Sequence, residues 1–153
     1  MSEEVKLDTK KLDKMLKAFS KEMPTSRVGI LGLSGRKDGG KTNADIGAKH
    51  EYGNEGMPVR SFLRVPIVEH LEKKMEEAGA FDEASLKLVV QQGSILLWMK
   101  KIATIAEGIV VESFHTGGFG KWPPSNMKYK KVHLTLVETQ QLRNSITSET
   151  KEA

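Results

Sequence analysis

The sequence predicts a single α+β domain that combines a small antiparallel or mixed sheet with one long helix and several short helices. Its 153 residues match the size of one domain, which we assign to 1–153. Two segments, Ser26–Leu33 and Asn144–Thr150, have the aliphatic content or the alternation of strands. Between them, apolar side chains recur at steps of three and four residues, as on one helix face: Ile95, Trp98, Ile102, Ile105 and Ile109. A long helix between two strand-like segments indicates the α+β class.

The elements before the long helix follow from apolar spacing and from the residues that break regular structure. Pro24 closes the first helical pattern, and Gly53 and Gly79 end two later ones. Pro66 suits the first turn of a helix, where its missing N–H costs nothing. The predicted elements are helix Leu7–Met23, strand Ser26–Leu33, helix Ala44–Tyr52 and helix Pro66–Ala78. Residues 34–43, which are rich in glycine and in charges of both signs, predict a flexible loop.

The long helix is predicted to run from Glu83 to about Ser113, which is roughly 45 Å at ~1.5 Å per residue. Gly93 and Gly108 interrupt its pattern, and this predicts a bend or a close contact with another helix. The glycines and prolines of residues 116–128 then predict a second flexible loop. A short helix that Thr139 caps is expected to end at Leu142, before the last strand.

Composition and charge limit the classes of protein to which this chain belongs. A net charge of +4, with both signs interleaved near the two ends, is typical of a solvated surface and permits nucleic-acid binding without indicating it. No apolar run approaches the ~20 residues that span a bilayer, and the charged start differs from a secretory signal, so we expect no membrane contact. The chain has no cysteine, which excludes disulfides and thiolate metal sites and fits an intracellular assembly route. Because aromatic residues are only 6% of the chain, we expect a neighbouring subunit to cover part of its apolar surface.

The motif with the clearest chemical meaning is GRKDGGKT at Gly35–Thr42, which fits the phosphate-binding pattern G-x-x-x-x-G-K-[ST]. In such a loop, backbone amides surround the phosphates, Lys41 reaches the terminal phosphate and Thr42 holds Mg²⁺. A stable helix must follow directly, whereas we expect glycines and a proline to cut the next stretch short. The sequence also lacks the βαβ alternation and a later strand that ends in a metal-binding Asp. A mobile basic loop is therefore our interpretation, and a P-loop-like nucleotide-binding or nucleic-acid-processing protein is the alternative.

No other spacing in the sequence predicts catalysis or metal binding. His50-Glu51 begins the zinc-protease pattern H-E-x-x-H, but Asn54 stands where the second His belongs. The four histidines are scattered, and no pair of titratable residues has a spacing that predicts acid–base chemistry. We therefore expect no catalytic residue, no metal and no cofactor. The run Lys128–Lys131 predicts a solvated face, with a grip on nucleic-acid phosphate as the alternative.

Three segments of the sequence carry motifs, and these motifs are considered together because of their order along the chain. IGAKHEYGNEGMPVRSFLR at Ile46–Arg64 has a run of small residues, His-Glu-aromatic-Gly, a short loop and Pro-x-Arg-x-Phe-Leu-Arg. GFGKWPPSNMKYKK at Gly118–Lys131 is similar to G-x-x-W-x-P-L-S-x-x-T-x-x-x-K, and LVETQQLRNSI at Leu136–Ile146 is similar to L-V-D-T-G-Q-L-x-x-S-I. Together the three segments cover about a third of the chain. In this order they resemble the tail-completion or virion-morphogenesis proteins of tailed bacteriophages. Gln140 departs from the pattern's Gly, and Pro124 stands where Leu is common.

The resemblance implies a structural, non-enzymatic virion protein that completes the tail or joins the tail to the head. It implies assembly in the host cytoplasm into a ring of six copies in the virion neck. The partners would be connector or neck proteins and tail tube or sheath proteins, with DNA passing through the lumen of the ring. A host accessory protein of the same fold is a third interpretation. The candidate interface residues are Arg60, Phe62, Arg64, Trp98, Trp122 and Lys130.

The chemistry of each candidate interface residue predicts its environment in the fold. Arg60 and Arg64 are expected to be exposed and to pair with acidic groups of a neighbour, since a guanidinium group matches the geometry of a carboxylate. Phe62 is expected to anchor the following helix on the sheet. Trp122 lies among glycines and prolines, so it is either a loop anchor packed on the domain or an interface residue.

Overall fold

The fold combines helices with one small sheet, and the predicted α+β class with one long helix is confirmed. The computed structural model describes residues 9–20, 23–32, 42–92, 95–124 and 140–152. In chain order the elements are α1 Thr9–Ser20, β1 Thr25–Gly29, α2 Asn43–Tyr52, α3 Arg64–Glu77, α4 Glu83–Gln92, α5 Leu96–Thr116, α6 Gln141–Asn144 and β2 Thr147–Lys151.

The sheet pairs β1, which follows α1, with β2, the last element of the described chain. β1 and β2 pair antiparallel, with Thr25 opposite Lys151 and Gly29 opposite Thr147. The face of the sheet that packs on α5 is partly polar: the Ser26 hydroxyl donates to the Met99 carbonyl at 3.1 Å. On β2, the Ser148 hydroxyl donates to the Glu107 carboxylate at 2.6 Å. Directional hydrogen bonds therefore fix the position of the sheet on the helix in addition to apolar packing.

The main core lies where α5 packs between α3 and the sheet. Its buried side chains are Phe62, Val110, Phe114, Leu142 and Ile146. The buried side of α5 differs from the isoleucine face that its sequence predicts, since Ile102 and Ile105 are only half-buried. Small residues occupy much of the buried side instead: Ala103, Ala106 and Ser113, beside Ile109, Val110 and Phe114. Short side chains let neighbouring backbones approach closely. The spacing of large apolar residues does not register this preference, so it predicted a different buried face of α5.

The predicted continuous helix from Glu83 to Ser113 is wrong. α4 ends at Gln92, and α5 begins only at Leu96 and extends to Thr116. Ile95, the residue before α5, has a ψ of 1° and is not helical, and the predicted interruption at Gly93 lies outside the described residues. Gly108 neither ends α5 nor marks a close contact with another element, because a Cβ there would have no atom within 4 Å apart from its chain neighbours and the backbone of α5 itself. The long helix is therefore about 31 Å at ~1.5 Å per residue.

Other predicted elements are confirmed with shifted ends. β1 stops at Gly29 rather than Leu33, and Gly29 has a φ of 146°, which other residues avoid. The first predicted loop, 34–43, ends sooner than expected, because Thr42 caps α2 and Asn43 is its first residue. Residues 34–41 and 125–128 of the two predicted loops lie outside the described residues, and so does the expected cap Thr139. The flexibility of both loops stays a prediction.

Two helical glycines in opposite environments test this packing. A Cβ at Gly47 would lie 2.8 Å from the Ile30 side chain and 3.2 Å from the Phe62 ring, whereas Gly108 faces open space. Gly47→Val should lower the free energy of unfolding by about 1–3 kcal/mol through overpacking. Gly108→Val should change it by less than about 0.5 kcal/mol, as is usual at a surface site. Urea denaturation of the two variants makes the comparison, and equal stabilities would contradict the close approach of α2 to Phe62.

Candidate functional site

The carboxylate of Glu51 lies at the amino end of α3. Although Glu51 belongs to α2, its side chain is only 4% exposed overall and accepts four hydrogen bonds. The donors are the Ser61 hydroxyl at 2.6 Å and the backbone N–H groups of Phe62, Leu63 and Arg64 at 3.0, 3.1 and 3.1 Å. The negative charge of this carboxylate also interacts favourably with the positive amino end of the helix dipole. One side chain from α2 thus satisfies donors that α3 cannot pair internally.

Ser61 completes the amino-terminal cap of α3. Its hydroxyl donates to Glu51 and accepts from the Val65 N–H at 3.0 Å. Pro66 has no N–H, and the Ile67 N–H donates to the Leu63 carbonyl at 3.2 Å, within the helix register. Each backbone donor from Phe62 to Ile67 therefore has an acceptor, although Leu63, the capping residue by position, makes no side-chain cap.

The loop between α2 and α3 is a narrow turn that brings Ser61 back to Glu51. The Arg60 N–H donates to the His50 carbonyl at 2.7 Å, and Asn54 and Met57 form an isolated antiparallel bridge. Gly53 and Gly56 have φ values of 80° and 72°, which glycine adopts at the lowest cost. The His-Glu-aromatic-Gly pattern therefore has a structural role in this turn: the His50 carbonyl accepts the Arg60 N–H, and the Glu51 carboxylate caps α3.

Arg60 is buried, and the expectation that it is exposed is wrong. The residue is 8% exposed, and its Nε and Nη2 donate to the carbonyls of Pro123 and Pro124 at 3.3 and 3.2 Å. Burial lowers the pKa of its guanidinium from the usual range, because desolvation disfavours the charged form. Carbonyl oxygens of the turn after α5 therefore hold this side chain. Arg60 fixes that turn instead of facing a neighbour.

The turn after α5 is packed on the α2–α3 connection through Trp122. Gly117 ends α5 in the left-handed conformation, with φ of 63°. The Trp122 Nε1–H donates to the Ser61 carbonyl at 2.9 Å, and its ring meets Phe114 edge-on at 5.8 Å between centroids. A Cβ at Gly118 would overlap the Trp122 indole, so only glycine fits there. Of the two interpretations left open for Trp122, the geometry favours the loop anchor.

The carboxy-terminal segment closes the same core. Leu142 and Ile146 are buried with Phe62 and Phe114, and α6 between Gln141 and Asn144 presents them to that core. Gln140 has a φ of 53°, a left-handed conformation that glycine adopts most readily. The pattern that this segment resembles has Gly at that position. We call the meeting point of Glu51, Arg60, Ser61, Phe62, Trp122 and Leu142 the segment junction.

The remaining candidate interface residues have different surroundings. Phe62 is 2% exposed and packs on Phe114, so it is a core residue that no partner reaches. The Arg64 side chain is exposed as expected, with its Nε 3.9 Å from Glu51 Oε1. Trp98 is half-buried and donates from Nε1 to the Ala80 carbonyl at 2.8 Å. Lys130 lies outside the described residues, and the interface roles of Arg64, Trp98 and Lys130 stay predictions.

The surroundings of Thr42 correct one argument about the phosphate-loop motif and strengthen another. The expectation that no adequate helix follows is wrong, since α2 begins at Asn43 and has 10 residues. However, the Thr42 hydroxyl accepts from the Asp45 N–H at 3.1 Å and donates to its carboxylate at 2.8 Å. This capping box occupies the group that would hold Mg²⁺ in a nucleotide site. The sheet of the described chain is a two-stranded antiparallel pair, which differs from the βαβ unit of such sites.

The capping box also sets the titration of Asp45. Hydrogen bonds from the Thr42 N–H and then from its hydroxyl lower the pKa of the Asp45 carboxyl below its usual range. A lowered pKa in the folded state means that this cap stabilises the fold above the pH at which an unfolded Asp titrates. The contribution is lost as pH falls through the folded pKa. Asp45 therefore acts in helix initiation.

Sequence reasoning missed Glu51 and Ser61 as organising residues. A serine just before a helical pattern is an N-cap signature, and this local signal would have identified Ser61. Glu51 binds groups ten to thirteen positions further along the chain, so no local spacing indicated it. Ser113 was also missed: it is fully buried on α5, and its hydroxyl contacts the Phe62 carbonyl at 3.2 Å.

In the ranges that the structure describes, no group of three or more metal-ligating side chains comes together, and no helix has the length and apolarity to cross a bilayer. Comparison of the chain with family models, curated proteins and solved structures found no match.

Glu51 substitutions test the cap on α3. Glu51→Ala should lower the free energy of unfolding by about 3–5 kcal/mol, because four donors lose a charged acceptor in a buried site. Glu51→Gln keeps one acceptor oxygen and should lose less, about 1–3 kcal/mol. Glu72→Gln, an exposed site within α3, is the matched control and should stay within about 0.5 kcal/mol. Chemical denaturation ranks the three, and a wild-type stability for Glu51→Ala would contradict this role.

Arg60→Met tests whether the guanidinium holds the turn that carries Trp122. The substitution keeps an unbranched stem but removes both donors to the proline carbonyls. In a Trp98→Phe background, Trp122 is the remaining tryptophan. We expect Arg60→Met in that background to increase acrylamide quenching of Trp122 and to shift its emission to longer wavelength. Unchanged quenching, with the fold intact by circular dichroism, would show that the turn does not need Arg60.

Proposed function

We propose that this chain is a structural, non-enzymatic assembly protein of a tailed-bacteriophage virion. It completes the tail or joins the tail to the head, as part of a ring in the neck region. In this role it needs no catalytic residue, cofactor or metal. Its partners are further copies of itself, connector or neck proteins and tail tube or sheath proteins, and DNA passes through the lumen.

The observation that carries the proposal is the segment junction. The first of the three stretches that resemble the virion proteins ends more than fifty residues before the other two, yet Phe62, Trp122 and Leu142, one from each, belong to one core. The side chains between them bind backbone groups: Glu51 holds amides, Arg60 holds carbonyls and Trp122 holds the Ser61 carbonyl. The residues that define the resemblance thus have a joint structural task, as expected for patterns that specify a shared frame.

Two conformational details add support. Gln140 adopts the left-handed conformation at the position where the virion pattern has Gly. The second pattern has Gly three residues before Trp, where this chain has Phe119, and Phe119 also adopts the left-handed conformation, with φ of 55°. In both places the residue type of the pattern fits the backbone that this chain adopts.

The alternative, nucleotide binding at Gly35–Thr42, has weaker support. A helix does follow the motif, which favours it, and residues 35–41 lie outside the described part. Against it, the Thr42 hydroxyl is engaged in the cap on α2, and β1 pairs with an antiparallel strand. An assembly protein with a basic surface loop agrees better with these contacts.

Deletion of the gene in its source genome, followed by induction of phage particles, tests the proposal. We expect DNA-filled heads and separate tails in electron micrographs, with infectivity lowered by at least about a thousandfold. Purified wild-type protein added to the lysate should restore joined, infectious particles. Lys41→Ala protein should restore them equally well, because the proposed role uses no nucleotide.

The outcomes separate the candidate functions. Normal particles without the gene, or a source genome that yields no particles, would overturn the virion role. Failure of Lys41→Ala protein to restore assembly, together with Mg²⁺-dependent ATP binding by the wild-type protein in calorimetry, would favour the nucleotide alternative.

A further inference from the structure

An apolar groove opens between α4 and the first turns of α5. Leu88 and Val89 line it from α4, and Leu97 and Trp98 line it from α5. Leu88 is 52% exposed and Leu97 53%, so both present apolar surface to solvent. The groove has a volume of about 80 Å³. Since a cavity of about 150 Å³ holds a benzene-sized group, this groove has room for one aliphatic side chain.

The same groove carries a positive charge that no acidic side chain pairs with in the described part of the chain. Lys101 lines the groove, is half-buried, and donates to the Gly79 carbonyl at 3.2 Å and to the Ser85 hydroxyl at 3.3 Å. An ammonium group has three donors, so Lys101 can donate to one further acceptor. By contrast, Lys74 and Lys87 each form an ion pair with a glutamate. Lys101 can therefore bind a carboxylate beside an apolar surface.

The sequence that forms the groove has charges of one sign. Residues 84–106 contain Lys87, Lys100 and Lys101 and no aspartate or glutamate. Glu83, at the start of α4, pairs with Lys87 at 2.7 Å, and this leaves the charges of Lys100 and Lys101 on α5. Two positive charges next to an apolar groove favour an acidic partner and disfavour a basic one.

We infer that the α4–α5 groove binds a short acidic amphipathic helix of a partner protein. An aliphatic side chain of that helix enters the groove beside Leu97, and a carboxylate of the helix binds Lys101. On α5, Leu97 and Lys101 are one turn apart, about 6 Å along the axis at ~1.5 Å per residue. Aliphatic and acidic residues three or four positions apart on a partner helix have a matching separation, and helices bind apolar grooves through anchors at this spacing.

The size of the groove indicates a short segment rather than a second folded domain. A stable interface between folded proteins buries about 800 Å² on each partner, whereas this groove holds one side chain. Binding therefore depends on one apolar anchor and one charge-assisted hydrogen bond, and it weakens as salt screens the charges. The groove lies outside the segment junction, so the inference does not depend on the virion role.

Two synthetic helical peptides test the inference with the full-length protein. Both have the same leucine face, and the opposite face is glutamate in one and lysine in the other. Fluorescence anisotropy of the labelled peptides should show that the glutamate peptide binds at least about tenfold more tightly, because its charge is complementary to Lys101. Added salt should weaken its binding. Equal binding of the two peptides, or binding of neither, would overturn the inference.

Variants of the protein locate the site of binding. Leu97→Glu puts a negative charge at the groove, and Lys101→Met removes the positive charge but keeps an unbranched stem. Each should weaken binding of the glutamate peptide at least about fivefold, with the fold intact by circular dichroism. Lys73→Met removes an equal charge from an exposed site on α3 and should bind the peptide as the wild type does.

The remaining outcomes separate this partner from other occupants. Wild-type affinity in both groove variants would place the peptide elsewhere and overturn the inference. Light scattering that shows dissociation of an oligomer by Leu97→Glu, without binding of the glutamate peptide, would assign the groove to a second copy of the chain and overturn it as well. Neither result bears on the virion role, which the gene deletion tests separately.

Discussion

The fold depends on one buried carboxylate more than on any other single group. Glu51 comes from α2 but caps α3, and this contact sets the distance and angle between the two helices. The Ser61 hydroxyl donates to the same carboxylate, and the Ser61 carbonyl accepts a hydrogen bond from the Trp122 indole N–H. Because the hydrogen bonds are directional and the acceptor is charged, the arrangement tolerates little displacement. The turn after α5 and the α2–α3 connection therefore take one relative position.

The sequence predicts local features well and distant ones poorly. Helices and strands follow from apolar spacing, and Gly53 correctly marks the end of α2 because its conformational preference is local. The Thr42–Asp45 capping box was also readable, since its two residues are three apart. The burial of Arg60 was not, because its acceptors lie more than sixty residues away and are backbone carbonyls of prolines. The buried side of α5 was misjudged for a related reason: close packing selects small residues, and hydrophobicity alone does not register that preference.

The segment junction is a frame rather than a reactive site. Its polar side chains are occupied by backbone amides and carbonyls, and a group whose hydrogen bonds are already made has little capacity to bind a substrate. Rigid positioning has a different use, because surfaces on the elements that meet at the junction keep a constant separation when those elements move together. In the assembly that we propose, this stiffness would keep the geometry of repeated contacts the same from copy to copy.

The motif residues and the exposed apolar side chains lie in different parts of the chain. The described motif residues Glu51, Arg60, Phe62, Trp122 and Leu142 meet in the junction, where we expect substitution to lower stability. The exposed apolar side chains of Val68 and Leu97 lie outside the three segments, where we expect substitution to leave the frame intact. Specific recognition of a neighbour requires surface that varies without unfolding the protein. We therefore propose that partner choice resides in exposed faces outside the motifs, and that the motif residues hold the frame that carries these faces.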